Sequence, residues 1–140
     1  MAGRTPAQLY ALVFGAVLLL IGILGFFLSA SFATGDAVAQ EKSTLILFDI
    51  NGYHNVIHLA SGAVGLAMAG TPASARIFAL GFGVVYGLVT VLGFVLTNDM
   101  EVLLGIIPIN MADNFLHLAI SALGIAAGLA SSTAPKPSTA

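Results

Sequence analysis

Four apolar stretches run through the chain at 6–29, 52–70, 74–97 and 111–130, carrying no charge beyond Arg76 and Asp113 and separated by shorter polar connections. Each approaches the roughly 20 residues that a membrane-spanning helix needs. The pattern therefore predicts four spanning helices, the first opening on Pro6, where a missing N–H costs nothing. In the second and fourth stretches the apolar run is interrupted at fixed spacing. Asn51, Asn55, His58 and Gly65 return as Asn110, Asn114, His117 and Gly124, each 59 positions later. On a helix, Asn51, Asn55, His58, Gly62 and Gly65 share one face, as do Asn110, Asn114, His117, Ser121, Gly124 and Gly128. Polar side chains in a bilayer are costly and face protein or a cavity, so these two faces mark the centre of the molecule.

The first and third stretches also align, at a constant shift of 68: Phe14, Gly15, Val17, Gly25 and Phe26 correspond to Phe82, Gly83, Val85, Gly93 and Phe94. Between 51–66 and 110–125, seven of sixteen positions are identical, where chance would give roughly two or three in such biased segments. The expected fold is all-α: a four-transmembrane-helix bundle built from two tandem helical hairpins in parallel orientation. It forms a single membrane domain over 1–140, with repeat 1 at about 6–70, repeat 2 at about 74–130 and a disordered polar tail at 131–140. Short apolar approach segments precede Asn51 and Asn110. Each repeat crosses the membrane twice, so a pseudo-twofold axis along the membrane normal should relate the two. Ala37-Val38-Ala39 resembles a signal-peptidase site, but the run before it is longer than a signal core and matches the third stretch. Arg4, Arg76 and Lys136 fall on one side; Lys42 stands on the other, among Asp36, Glu41, Asp49, Asp99 and Glu101. The positive-inside rule places both termini in the cytoplasm and the chain, multi-pass, in the cell membrane.

Composition narrows the function classes. The chain is 59% hydrophobic and 7% charged, with a mean hydropathy of +1.05, against about 25% charge in soluble domains. It has no cysteine, which excludes disulfides and thiolate metal sites. A net charge of −2 offers no basic surface for nucleic acid. No dinucleotide fingerprint, P-loop, zinc-protease or nucleophile-elbow motif is present.

The polar positions carry the remaining candidate chemistry. Asn51 and Asn110 each begin a helix and suit an N-cap, with Asp113 in capping-box position after Asn110. Asn55, Asn114, His58 and His117 lie one to two turns deeper, and interhelical hydrogen bonding, worth about 0.6 kcal/mol each, is their plain role. The symmetry suggests a sharper one. His58 and His117 at equal depth suit axial ligation of a haem. Adding His54, one turn before His58, and Asp113 gives three imidazoles and a carboxylate, a donor set for a transition metal. His54 is not repeated; its counterpart is Asp113. A proton relay or small transport component is a further reading, with its acids confined to one rim. Gly62, Gly65, Gly124 and Gly128 supply small faces for helix packing.

Several motifs carry a family resemblance: Arg-Thr-Pro-Ala-Gln-Leu-Tyr-Ala-Leu-Val-Phe-Gly at 4–15, Ser-Phe-Ala-Thr-Gly at 31–35, Asn-Gly-Tyr-His-Asn-Val-Ile-His-Leu at 51–59, Ala-Leu-Gly-Phe-Gly-Val-Val-Tyr at 79–86 and Asp-Asn-Phe-Leu-His-Leu at 113–118. With these the chain resembles a family of small bacterial, chiefly actinobacterial, integral membrane proteins classified as a domain of unknown function. The family's aromatic, often Trp, is Tyr53 here. The resemblance implies a four-helix plasma-membrane protein and brings no activity, cofactor or catalytic residue with it. The leading expectation is a non-enzymatic accessory or structural protein that meets the lipid bilayer and associates with itself or with another membrane protein. The alternative is a haem- or metal-binding membrane protein centred on His58 and His117.

Overall fold

The computed structural model describes residues 3–96 and 102–133. Its long helices are α1 (Pro6–Phe26), α3 (Gly52–Met68), α4 (Pro72–Leu96) and α5 (Met111–Leu129), with a short α2 (Ala37–Glu41) between α1 and α3. Among the described residues, α1, α4 and α5 are long and apolar enough to cross a membrane. At 17 residues α3 is shorter, about 26 Å at 1.5 Å per residue.

The all-helical expectation needs a correction. The approach segments are the second strands of two antiparallel hairpins, β1 (Ser43–Leu45) with β2 (Phe48–Ile50) and β3 (Val102–Leu103) with β4 (Ile107–Pro108). Hairpins satisfy backbone groups that an irregular apolar segment would leave unpaired. Both turns need left-handed backbone, at Ile46 (φ 62°) and at Leu104 and Gly105 (φ 54° and 71°). Asp99, Glu101 and Lys136, which entered the charge argument, and positions 134–140 of the expected tail lie outside the described residues.

Each hairpin leads straight into a helix whose first turn is closed by an asparagine. Asn51 Oδ1 accepts from His54 N, and Asn110 Oδ1 accepts from Asp113 N, with Asp113 Oδ2 accepting from Asn110 N in return. Such caps satisfy amide hydrogens that the helix itself cannot. The Asn side chains also tie the hairpins together: Asn51 Nδ2 donates to Ile106 O at 2.7 Å, and Asn110 Nδ2 donates to Leu47 O at 2.9 Å.

Helix α3 packs along α1, and α5 along α4. Small residues set the approach. A Cβ on Gly15 would lie 2.9 Å from Leu66 N and 3.1 Å from Gly62 O; on Gly83 it would lie 2.9 Å from Ile125 N and 3.0 Å from Ser121 O. Gly62 faces the α1 backbone, Gly65 meets Phe78, and Gly124 meets Ala79 O and the Tyr10 hydroxyl. Gly128 rests against Leu80. All four packing glycines therefore make contacts within the chain. At the end opposite the hairpins, Gln8 Nε2 donates to Ala69 O and Arg76 Nε donates to Gly128 O, capping α3 and α5. That end is filled by Ala7, Tyr10 and Ala11 of α1 against Ala75, Phe78 and Ala79 of α4.

Candidate functional site

The hairpin end has a different filling. His54 lies in the first turn of α3 and His58 one turn further on the same face; His117 projects from α5 to meet them. Their ring centroids are 4.4 Å (His54–His58) and 6.3 Å (His54–His117) apart. One nitrogen from each ring lies within 4.8 Å of the others, and all three residues are more than nine-tenths buried. Three imidazoles on one tetrahedral ion at about 2.0–2.1 Å would stand roughly 3.3 Å apart, so small side-chain adjustments close the set.

The hydrogen bonds favour ligation. His54 Nδ1 lies 2.9 Å from Asp49 O. A backbone carbonyl accepts only, so Nδ1 carries the proton and Nε2 presents its lone pair. A metal-bound histidine is commonly oriented in this way. His58 Nδ1 and His117 Nδ1 are buried with no hydrogen-bond partner. Buried polar atoms are paired in the large majority of cases, and each exception requires an explanation.

The other expected site residues take different places. Asp113 is buried but outside the group of three rings; its Oδ2 serves Asn110 N and receives Asp49 N at 3.3 Å. It acts on the site through the Asp49 backbone, whose carbonyl orients His54. Asn55 Nδ2 donates to Ser29 O at 2.8 Å, and its Oδ1 occupies the space where a Cβ on Gly25 would sit. Asn114 Oδ1 stands in the same relation to Gly93. Asn51 and Asn110 are the caps already described.

Two cavities flank the histidines. One, of about 60 Å³, has Phe14, Val17, Leu18 and Ile21 of α1 on one wall and Asp113, Leu116 and Ile120 of α5 on the other. The second, of about 200 Å³, has Phe82, Val85, Tyr86 and Val89 of α4 facing His54, Ile57 and Ser61 of α3. His58 and His117 line both. The walls match by number: each α4 residue lies 68 positions after its α1 counterpart, and each α5 residue lies 59 after its α3 counterpart. Three pairs change from one cavity to the other in a way that alters hydrogen-bonding chemistry. Leu18 corresponds to Tyr86, Ile120 to Ser61 and Asp113 to His54. Tyr86 is buried, stands edge-on to His117 at 5.0 Å and bonds the Ser61 side chain. Neither Tyr86 nor Ser61 recurs at the matching position, and that departure, Leu18 against Tyr86 and Ile120 against Ser61, is the sequence signal for them. Neither cavity has room for a porphyrin between His58 and His117, so axial haem ligation does not fit this geometry.

Residues 8–130 match a family model described as Domain of unknown function (DUF4383). No curated protein and no solved structure matches the chain.

Proposed function

The chain belongs to this family of unknown function, and from that premise we propose that it is an integral membrane protein that binds a transition-metal ion through His54, His58 and His117. In this reading α3 is a fourth span, both termini are cytoplasmic, and the chain is a tandem repeat of two hairpins in the cell membrane. Support for the repeat comes from contacts that recur at the same two offsets: Gly15 with Gly62 and Gly83 with Ser121, Gln8 with Ala69 and Arg76 with Gly128.

The observation that carries the metal reading is the convergence of three buried imidazoles, one held in its ligating tautomer by Asp49 O, the other two with an unpartnered nitrogen. Neutral imidazoles suit zinc and copper. Three histidines leave a fourth position open, as in metal sites that take a substrate or water. Asp113, close enough to share a cavity with His58 and His117, supplies negative charge for a buried cation. A purely structural accessory role has less to rest on, because the small faces at Gly62, Gly65, Gly124 and Gly128 are occupied within the chain.

The test is metal analysis of protein purified in mild detergent and equilibrated with Zn²⁺ or Cu²⁺, then desalted. About one ion per chain is expected, falling below a tenth of that in His54→Ala. A wild-type chain that stays folded, retains no ion and shows no thermal shift with either metal ends the proposal.

A further inference from the structure

We propose that the larger of the two cavities binds a neutral, lipid-soluble quinone: a single-ring head bearing carbonyl oxygens, with an apolar tail. The site borders the three imidazoles but does not require an ion on them, so the proposal goes beyond the metal reading.

Size comes first. The cavity measures about 200 Å³, and an apolar cavity of about 150 Å³ accommodates benzene. One substituted six-membered ring therefore fits, and two fused to a third do not.

Chemistry comes second. No charged side chain lines the cavity, so a charged ligand would enter uncompensated at high cost. The polar groups along its wall are the Tyr86 and Ser61 hydroxyls, bonded to each other, and the imidazoles of His54, His58 and His117. A bonded pair of hydroxyls keeps one O–H free to donate, which suits a ligand with acceptor oxygens.

Access comes third. Ser61, Phe82 and Val85 also line an open groove of about 340 Å³ that continues along the seam between α3 and α4 to Met68 and Ile77. Val64, Ile77 and Val85 there are at least half exposed. The seam thus opens toward the acyl chains, and a tail attached to the ring has a path along it.

The paired cavity provides the comparison that makes this specific. With Leu18 and Ile120 in place of Tyr86 and Ser61, it measures about 60 Å³ and has neither hydroxyl. Of the three departures, Ser61 against Ile120 removes side-chain bulk from the larger space, and Tyr86 with Ser61 gives it hydroxyls that its counterpart lacks.

The full-length protein in lipid nanodiscs, stripped of metal by a chelator, is dialysed to equilibrium with tetramethyl-1,4-benzoquinone. Saturable binding of one per chain is expected, displaced by a decyl-tailed 1,4-benzoquinone. Tyr86→Phe and Ser61→Ala, which keep the packing, should each weaken binding about tenfold. The double variant Tyr86→Leu/Ser61→Ile, carrying the residues that the fold already accommodates in the other cavity, should abolish it. Leu18→Val should leave it unchanged. Absence of saturable binding to folded wild type, or equal affinity in Tyr86→Phe and in the double variant, overturns the proposal. Ion content measured on parallel metal-equilibrated samples separates the two readings: quinone binding without metal uptake removes only the metal site, and the converse removes only this one.

Discussion

Replacing His58 and His117 together by leucine should stabilise the metal-free protein. The sign follows from the geometry. Each ring carries one buried nitrogen without a hydrogen-bond partner, and an unsatisfied buried group costs about 1–3 kcal/mol. Leucine removes both nitrogens at similar volume. The change also sacrifices ring contacts, His54–His58 at 4.4 Å, Tyr86–His117 at 5.0 Å and His54–His117 at 6.3 Å, worth about 0.5–1.5 kcal/mol each. The balance favours the variant by about 1 kcal/mol. If the histidines instead served as interhelical glue at about 0.6 kcal/mol each, the variant would lose roughly 1 kcal/mol. The two accounts differ in sign, so an approximate measurement decides between them.

The assay is loss of helical circular dichroism on titration with a denaturing detergent, with chelator present throughout. A second titration adds Zn²⁺. At a hundred times its dissociation constant an ion stabilises the wild type by about 2.7 kcal/mol, and the leucine variant should gain nothing. The pair of titrations should therefore cross: variant above wild type without metal, wild type level or above with it. A metal-free leucine variant that is clearly less stable than wild type would refute the reasoning, because the histidines would then be holding the fold together.

Other substitutions probe the scaffold. Gly62→Ala should destabilise by about 1–2 kcal/mol in the same titration, since its Cβ would lie 2.7 Å from Gly15 O and 2.8 Å from Leu19 Cα, both backbone atoms with no side chain free to yield. Gly81→Ala, with nothing within 4 Å, should gain up to about 1 kcal/mol from helix propensity; an equal loss in both would remove the close-packing argument. Gly25→Ala should be severe in wild type and mild in an Asn55→Ala background, because its Cβ collides with Asn55 Oδ1; additive costs in a double-mutant cycle would contradict that contact. Asp113→Asn should weaken metal affinity about tenfold without changing the ion count, as expected of a residue that supports a ligand rather than acting as one; complete loss of the ion in a folded variant would make Asp113 a ligand instead.

The helices were legible because hydropathy and length are local properties. The stretches at 6–29 and 111–130 and the helices Pro6–Phe26 and Met111–Leu129 differ mainly where backbone caps set the ends. A cap such as Asn110 with Asp113 was readable for the same reason, being defined by residues three apart. The hairpins were not: Leu45-Ile46-Leu47-Phe48 carries none of the Asn-Gly or Asp-Gly signals of a tight turn, and Ile46 holds a left-handed φ of 62° that β-branched residues seldom adopt. The neighbours of each histidine were equally hidden, since they depend on how two helix pairs converge. His58 and His117 could be singled out by repetition, whereas Asp113 looks like a fourth ligand in the sequence and becomes a backbone support only when Asp49 is placed beside it.

Asp49 explains why the site is asymmetric. Its N–H donates to Asp113 Oδ2, its carbonyl holds His54 Nδ1, and its carboxylate meets Lys42 Nζ and Thr44 Oγ1. The position 59 residues later is Pro108, which has no N–H to donate. A carboxylate at position 54, receiving that missing hydrogen bond as Asp113 receives Asp49, would have no donor. Both members of one backbone contact have therefore changed together, Asp49 against Pro108 and Asp113 against His54. The change releases position 54 from the bracing that Asp113 performs and allows an imidazole there. On the proposed repeat, the half that carries His54 has no acid at that position, and the other half supplies Asp113, which holds the Asp49 N–H while the Asp49 carbonyl holds His54. Neither half contains the whole arrangement: His54 takes its orientation from a strand braced by α5, and His117 completes the cluster from that same helix. The site exists only where the two halves meet.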